Sequence, residues 1–181
     1  MSKVILLSGS PNKTGNTMQV LQECANVIKA NGVEAEVISI AGMNIKDSMN
    51  SAGGYDDGFD EIIEKIKKAE GLIIGSPVYW GTARAEMMIA IQRIAMASLK
   101  DKFLSRKVGG PIAIARRGGH TSTLQEMLMF YLYNDMIVPG STYWNIVFGK
   151  TSGEALKDEE GMETVKHFSE NVAFLVKKLY D

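Results

Sequence analysis

The chain alternates between short apolar segments and longer segments with the apolar spacing of amphipathic helices. The apolar segments predict strands at 4–7, 33–40, 71–75, 108–115 and 141–148. Apolar residues three and four positions apart predict helices at 17–30, 59–69, 83–99, 122–133 and 155–180. This alternation favours an α/β fold, an open parallel sheet covered by helices on both faces. At 181 residues, the chain has the length of a single domain spanning 1–181.

Composition excludes several classes of protein and site. The formal net charge of −1 gives no electrostatic reason to expect nucleic acid or an anionic membrane as a partner. One cysteine excludes an intramolecular disulfide and a multi-thiolate cluster, so we predict no metal site. No apolar run reaches the roughly 20 residues that cross a bilayer, and the apolar stretch at 4–7 is too short for a signal peptide. The expected compartment is the cytoplasm.

Three predicted strand ends are followed by unusual loops, at residues 8–17, 76–82 and 116–120. In an open parallel sheet, ligands bind beyond the carboxyl ends of the strands, where the strand order reverses. We therefore expect the three loops to converge on one crevice. The alternative is that glycine-bearing loops simply close three turns of an α/β fold.

The first loop predicts an anion site. It enters a helix N-terminus, where free backbone N–H groups and the positive end of the helix dipole favour negative charge. The candidate binding residues are Ser8, Ser10, Asn12, Thr14, Gly15, Asn16 and Thr17. The loop has neither the Walker pattern nor the Gly-x-Gly-x-x-Gly fingerprint, which favours a phosphate monoester on a different cofactor. The alternative is a set of N-cap residues that only start the helix.

The other two loops predict a site for a flat ring. The second offers Pro77, Val78, Tyr79, Trp80 and Gly81, whose aromatic faces suit a stacked heterocycle; core or interface packing is the alternative. The third offers Arg116, Arg117, Gly118, Gly119 and His120, whose cations suit a reduced anionic ring or a second phosphate; a solvated turn is the alternative. Tyr79 and His120 are the proton-transfer candidates, and no other catalytic residue is predicted.

Two motifs resemble those of flavodoxin-like flavoproteins in the NAD(P)H-dependent FMN reductase and iron–sulfur flavoprotein family. They are Gly9-Ser10-Pro11-x-x-x-Gly15-Asn16-Thr17 and Ser76-Pro77-Val78-Tyr79-Trp80-Gly81. The resemblance implies a three-layer, doubly wound, five-stranded parallel sheet with strand order 2-1-3-4-5. It also implies that Ser10, Asn12, Asn16 and Thr17 hold the FMN phosphate, that 77–81 line the isoalloxazine, and that Gly118 and Gly119 close its pyrimidine side.

The chain departs from the iron–sulfur members of that family in one respect. Those members carry a compact cysteine cluster after strand 2, whereas residues 42–58 contain no cysteine and the lone Cys24 falls in the first helix. The resemblance then implies an FMN-only enzyme that takes electrons from NAD(P)H to a quinone, flavin, nitroaromatic or metal ion. A flavodoxin-type electron carrier that docks to redox partners is the alternative, disfavoured by the near-neutral charge. A phosphate-binding enzyme without flavin is a third possibility.

Two further expectations concern partners. Methionines concentrate on the helices predicted at 83–99 and 122–133, and adaptable apolar surface of this kind suits a subunit interface. Because the family is usually oligomeric, we expect a homodimer or homotetramer. The choice between NADH and NADPH stays open, since Arg116 or Arg117 is able to contact a 2′-phosphate but neither must.

Overall fold

The computed structural model describes residues 2–48 and 55–180 and contains a six-stranded sheet with helices on both faces. The strands are β1 Lys3–Ser8, β2 Glu34–Ser39, β3 Gly71–Tyr79, β4 Thr82–Ala83, β5 Val108–Ala115 and β6 Ile146–Phe148. The helices are α1 Asn16–Ala30, α2 Phe59–Lys68, α3 Ala85–Ser98, α4 His120–Tyr133 and α5 Glu159–Tyr180, with a 3₁₀ turn at Ala155–Lys157.

Five of the strands are parallel and follow the order β2-β1-β3-β5-β6. Counted along the chain without β4, this is the predicted order 2-1-3-4-5, and the α/β fold class is confirmed. The strand order reverses at β1, which pairs with β2 on one side and β3 on the other. The carboxyl end of β1 is therefore the switch point at which such sheets bind ligands.

The uninterrupted apolar run of β1 is explained by burial on both faces. Val4 and Leu6 belong to one core with α1 and α5, whereas Ile5 and Leu7 belong to a second core with α2, α3 and α4. Successive side chains of a strand point to opposite faces, so a strand between two helical layers needs apolar residues at every position. The three-layer architecture follows directly.

The segment predicted as the second loop is largely strand. β3 continues past residue 75 to Tyr79, turns at Trp80 and Gly81, and returns as β4, with Val78 opposite Ala83. The sequence pattern predicts that this strand ends before Ser76-Pro77, which is turn chemistry in most sequences. Pairing of Ser76 and Pro77 with β5 extends the strand here.

The predicted strand at 141–148 is wrong over most of its length, because only Ile146–Phe148 pairs with β5. On β5, the N–H groups of Gly109 and Ala113 point toward this edge, where they donate to Ile137 and Asn145 carbonyls. Pro111 occupies the position between them and has no N–H to donate. The ladder is interrupted there.

Two helix boundaries also differ from the prediction. α4 begins at His120 rather than at 122, and α5 begins at Glu159 because residues 155–157 form a separate 3₁₀ turn. Asp158 ends that turn, and its Oδ1 accepts the N–H of Gly161 at 3.2 Å. The acidic side chain thereby caps the first turn of α5.

A buried guanidinium anchors both ends of the segment 42–58, of which residues 49–54 lie outside the described residues. Arg93 of α3 is 2% exposed and donates from Nη1 to Asp57 Oδ2 at 2.8 Å and to the Lys46 carbonyl at 3.0 Å. Its Nη2 donates to Asp60 Oδ1 at 2.6 Å, and its Cζ lies 3.3 Å from the Tyr55 ring centroid. Burial alone raises the pKa of Asp57, but hydrogen bonds from Arg93 and backbone amides outweigh it and hold that pKa below its usual value.

We predict that Arg93→Met lowers the free energy of unfolding by about 3 kcal/mol, measured by urea denaturation. The substitution leaves the Asp57 carboxylate, whose side chain is 2% exposed, without its counter-ion. Lys65→Met is the matched control, because it removes an exposed ion pair with Glu36 and costs less than about 1 kcal/mol. Equal costs for the two variants would contradict the anchoring role of Arg93.

Candidate functional site

Four segments meet at the carboxyl edge of the sheet: residues 8–17, 76–84, 116–120 and 149–155. The first contacts β3 through the Gly9 N–H, which donates to the Gly75 carbonyl at 2.8 Å. The second and third touch at Gly81 and Gly119, and the fourth bonds the first through Ser152 Oγ, which donates to the Thr14 carbonyl at 2.8 Å. We call the space bounded by these four segments the cleft. The structure thus brings the three predicted loops together and adds a fourth segment.

Residues 10–15 form a polar turn that leaves the start of α1 open. Ser10 Oγ accepts the Asn12 N–H at 3.1 Å, and Asn12 Oδ1 accepts the N–H and hydroxyl of Thr14 at 2.9 and 3.0 Å. The N-cap is Gly15, which has no side-chain cap, and the first turn of α1 has no acidic residue. The polar side chains therefore shape the loop rather than cap the helix, and the first N–H groups of α1 remain suited to an exogenous anion.

Two hydroxyl groups in this segment are buried. Thr17, in the first turn of α1, is 2% exposed. Ser8, the last residue of β1, is fully buried, and its Oγ has no hydrogen-bond partner among the described residues. The Ser8 hydroxyl therefore lies beneath the surface of the cleft rather than on it, although Ser8 was among the predicted binding residues.

Asn16 faces the fourth segment. Its Oδ1 accepts the N–H groups of Gly153 and Ala155 at 2.9 and 3.3 Å, and a Cβ on Gly149 would lie 2.8 Å from its Nδ2. The carboxamide thus braces the first segment against residues 149–155. Residues 149–154 fall between the predicted strand at 141–148 and the predicted helix at 155–180, and no site residue was predicted among them. The available signal was their position: they too follow the carboxyl end of a strand.

The β3–β4 hairpin presents aromatic surface to solvent. Trp80 and Gly81 have φ angles of 55° and 82°, the positive values of a type I′ turn. The Trp80 side chain is fully exposed and Tyr79 is half exposed, while Pro77 and Val78 are part-buried in β3. A bulky residue at positive φ is strained, and such strain is concentrated at functional sites.

The N-terminus of α4 fastens the third segment to this hairpin. Ser122 Oγ donates to the Gly81 carbonyl at 2.6 Å, and Glu126 accepts the N–H of Ala83 at 3.0 Å. Gly119 has a φ of 86°, and a Cβ there would lie 2.8 Å from the Gly81 Cα. Beside Gly118 and Gly81, by contrast, the space that a Cβ would occupy is open. The two segments leave room at these glycines for a flat ligand.

The charged residues of the third segment lie in two different environments. Arg116 and Arg117 are exposed at the end of β5. His120 is 4% exposed, with Nε2 3.2 Å from the Val147 carbonyl and its ring 4.4 Å from that of Phe148. Burial lowers the pKa of His120, which favours a neutral imidazole that donates to Val147. The structure therefore gives His120 a bridging role between α4 and β6, and of the two proton-transfer candidates only Tyr79 is exposed.

Arg84 is a cleft residue that the sequence analysis did not select. Its Nη1 donates to the Gly9 carbonyl at 3.1 Å, its N–H donates to Ser76 Oγ at 3.1 Å, and its Nη2 pairs with Glu86 at 2.6 Å. With a side chain 14% exposed, it links the first two segments and places a cation between them. The sequence feature that could have identified Arg84 as a cleft residue is its position directly after the aromatic segment at 76–82.

Cys24 lies away from the cleft. It is buried between α1 and α5, with Sγ 3.8 Å from the Val165 carbonyl, and burial raises its pKa to about 12. It is an unreactive core thiol.

Among the described residues, no helix is both long and apolar enough to span a bilayer.

Comparison with known proteins gives a family match and close relatives. The model of a family described as NADPH-dependent FMN reductase matches residues 2–151. An iron–sulfur flavoprotein of Methanocaldococcus jannaschii is 36% identical, over 97% of this chain and 97% of that protein. An iron–sulfur flavoprotein of Methanosarcina thermophila is 30% identical, over 90% of this chain and 89% of that protein.

Solved structures share the fold at low identity. RosB, crystallised with 8-demethyl-8-formylriboflavin-5′-phosphate, superposes with a TM-score of 0.80 and 16% identity, over 99% of this chain and 80% of that chain. A flavodoxin from the domain Archaea gives a TM-score of 0.66 and 19% identity, over 97% of this chain and 99% of that chain. The flavodoxin-like fold is confirmed.

We predict that Gly119→Ala lowers the free energy of unfolding by about 2 kcal/mol, measured by thermal or urea denaturation. The new Cβ meets the Gly81 backbone and is strained at positive φ. Gly118→Ala is the neighbouring control: its Cβ enters open space and its φ is not positive, so its stability changes by less than about 0.5 kcal/mol. If the two alanine variants proved equally stable, the close approach of hairpin and third segment would not be a constraint.

Proposed function

Since the chain belongs to the family of NADPH-dependent FMN reductases, we propose that it carries electrons from NADH or NADPH through FMN bound in the cleft to a small acceptor. The family assignment makes it an FMN-dependent oxidoreductase. The observation that carries the proposal is the uncapped N-terminus of α1 at the switch point, beside an aromatic hairpin. A phosphate and a flat ring are the two chemical parts that this arrangement accommodates.

The residues present fit the phosphate end of FMN. The first N–H groups of α1 have no side-chain cap, and the buried Thr17 hydroxyl lies in the same turn. No acidic side chain in that turn opposes a dianion. Ser10, Asn12 and Thr14 maintain the turn, so we assign them a shaping role around the phosphate, with Asn16 as its brace.

The residues around the hairpin fit the ring end. Open space beside Gly81 and Gly118 admits a planar system, and Tyr79 and Trp80 offer exposed aromatic faces beside it. Gly119 permits the close approach of the two segments that form this pocket.

In the proposed reaction, FMN supplies hydride acceptance and electron transfer when bound. The chain would orient the cofactor: the N-terminus of α1 would hold its phosphate, and the aromatic hairpin would lie against its ring. Arg84 Nη1 donates to the Gly9 carbonyl, so this side chain would hold the hairpin against the segment that binds the phosphate. Arg116 and Arg117, exposed at the rim, attract the phosphates of the nicotinamide nucleotide.

Cluster chemistry does not enter the proposal. The curated relatives are named iron–sulfur flavoproteins, but this chain has one cysteine, and Cys24 is buried between α1 and α5. It therefore lacks the set of thiolates that such a cluster needs. We propose that FMN is the sole redox centre and that the acceptor is a quinone, flavin, nitroaromatic or metal ion.

We predict that the FMN-loaded protein oxidises NADH or NADPH with menadione as acceptor.

We also predict that Thr17→Val weakens FMN binding about 10- to 100-fold. The expected loss is that of one hydrogen bond to a charged group. Affinity is measured by fluorescence titration of the apoprotein with FMN and with riboflavin. Because riboflavin has no phosphate, its affinity should be the same in the variant.

Thr164→Val is the control, because Thr164 is equally buried but lies on α5 outside the cleft. Equal loss of FMN and riboflavin affinity in Thr17→Val would contradict the phosphate assignment. Retained FMN without oxidation of either nucleotide would instead favour the flavodoxin-type carrier. A protein that takes up no flavin would overturn the function as a whole.

We also propose that the outer faces of α3 and α4 form an interface with a second copy of the chain. Their exposed large apolar residues are Met96, Met129, Leu132 and Tyr133, with Leu99 directly after α3. The charged residues of these helices are already engaged: Arg93 is buried, Glu86 pairs with Arg84, and Glu126 bonds the hairpin. A face without free charge meets its own copy without like-charge repulsion.

We predict a mass of at least twice 19.8 kDa in light scattering, and a shift to 19.8 kDa in Met129→Glu. The substitution puts a charge on the proposed interface, where it would be desolvated. Phe174→Glu on α5 is the control, because Phe174 is as exposed as Met129 but lies on the opposite side of the sheet. An unchanged mass for Met129→Glu would place the interface elsewhere.

A further inference from the structure

Arg84 contacts the first segment of the cleft through a backbone carbonyl. Its Nη1 donates to the Gly9 carbonyl at 3.1 Å, and its own N–H donates to Ser76 Oγ at 3.1 Å. The side chain is 14% exposed, and its Nη2 pairs with Glu86 Oε1 at 2.6 Å. Because the Glu86 carboxylate offsets its positive charge, Arg84 acts on the first segment mainly through the hydrogen bond to Gly9.

Gly9 is held on three sides. Its carbonyl accepts from Arg84, and its N–H donates to the Gly75 carbonyl at 2.8 Å. Its Cα lies against Met87 of α3, since a Cβ on Gly9 would be 2.9 Å from the Met87 Cβ. Both polar groups of the Gly9 backbone are therefore engaged, and the peptide group that follows has one fixed orientation.

The bond from Arg84 sets the direction of the next N–H group. The peptide between Gly9 and Ser10 is trans, so the Gly9 carbonyl and the Ser10 N–H point in opposite directions. The Ser10 N–H is therefore turned away from Arg84, and it has no hydrogen-bond partner among the described residues. Ser10 is 6% exposed, and an N–H group in so buried a residue is rarely left unpaired. Its expected partner is an acceptor from outside the chain.

The same peptide group is the entry to the polar turn that precedes α1. Ser10 Oγ accepts the Asn12 N–H at 3.1 Å, and Asn12 Oδ1 accepts the Thr14 N–H at 2.9 Å. The turn ends at Gly15, whose N–H donates to the Asn12 carbonyl at 3.3 Å and which is the N-cap of α1. The orientation that Arg84 imposes at the entry is thus carried through hydrogen bonds to the uncapped start of the helix.

From these contacts we propose that Arg84 is a positioning residue for the phosphate of the cofactor. Through the Gly9 carbonyl, it directs the Ser10 N–H to a phosphate oxygen and adds this donor to the first N–H groups of α1. The inference rests on the proposed function, because it requires FMN in the cleft. Arg84 itself touches neither the phosphate nor the ring.

The first test follows the Ser10 amide by NMR in the unmodified, ¹⁵N-labelled chain during titration with FMN and with riboflavin. We expect the amide proton to move downfield with FMN, because it then donates to a charged oxygen. With riboflavin, which has no phosphate, it should move far less. Equal movement with the two flavins, or none with either, would overturn the proposal. This measurement needs no substitution, so it is decisive even where a variant fails to fold.

The second test compares variants by fluorescence titration of the apoprotein with the same two flavins. Loss of one hydrogen bond to the phosphate predicts that Arg84→Met weakens FMN binding about tenfold and leaves riboflavin affinity unchanged. Arg84→Lys keeps a donor of similar reach and should recover most of the loss. Glu86→Gln is the matched control, because it removes the other partner of Arg84 but leaves the bond to Gly9, and its FMN affinity should be unchanged.

Salt separates the orientation of a peptide from the attraction of a charge. The loss of FMN affinity in Arg84→Met should be the same in about 0.05 M and about 0.5 M NaCl, whereas a loss caused by charge alone would disappear at the higher concentration. That disappearance, or equal losses of FMN and riboflavin affinity, would overturn the proposal. An unmodified chain that binds neither flavin would remove the proposed function itself. Binding of both flavins with an unchanged affinity ratio in Arg84→Met would remove only this inference.

Discussion

The structure depends on the burial of β1 between two helical layers. Because its side chains alternate between the α1–α5 core and the α2–α3–α4 core, the strand is fixed at the centre of the sheet with β2 and β3 on either side. Its carboxyl end is then the point where strand order reverses. The loop that follows opens onto α1, and the amides of that helix face the edge where three other segments end. The site is thus a consequence of strand order.

Close backbone approach turns this edge into a cleft. Gly119 lies against Gly81 at a distance that excludes any side chain, and Ser122 and Glu126 bond the hairpin to α4. Arg84 joins the hairpin to the first segment through the Gly9 carbonyl. The connections are made by groups at the ends of rigid elements, so the space beside Gly81 and Gly118 is held open by the fold rather than by a loop free to collapse.

Much of this was predictable because it depends on local pattern. Apolar runs in the sequence predict strands such as β1 and β5, because a strand covered on both faces is apolar at successive positions. Glycines after these runs predict the loops. The errors have non-local causes. The extension of β3 to Tyr79 depends on its pairing with β5, the shortening of β6 depends on Pro111 in a neighbouring strand, and the orientation of Asn16 depends on a segment 137 residues away. Arg84 was missed for a similar reason, since its partner Gly9 lies in a distant loop.

The conformation and exposure of Trp80 indicate whether the β3–β4 hairpin packs its aromatic residues into the core or presents them to a partner. A type I′ turn prefers asparagine or glycine at this position, and an indole at φ 55° is strained. A core role would offset that cost by burial, but the side chain is fully exposed. The fold therefore gains neither favourable backbone geometry nor apolar burial from tryptophan at this position. Of the two alternatives that the sequence left open, the geometry excludes the core and leaves contact with a ligand or a second chain. The open space at Gly81, the residue next to Trp80, is compatible with either of these partners.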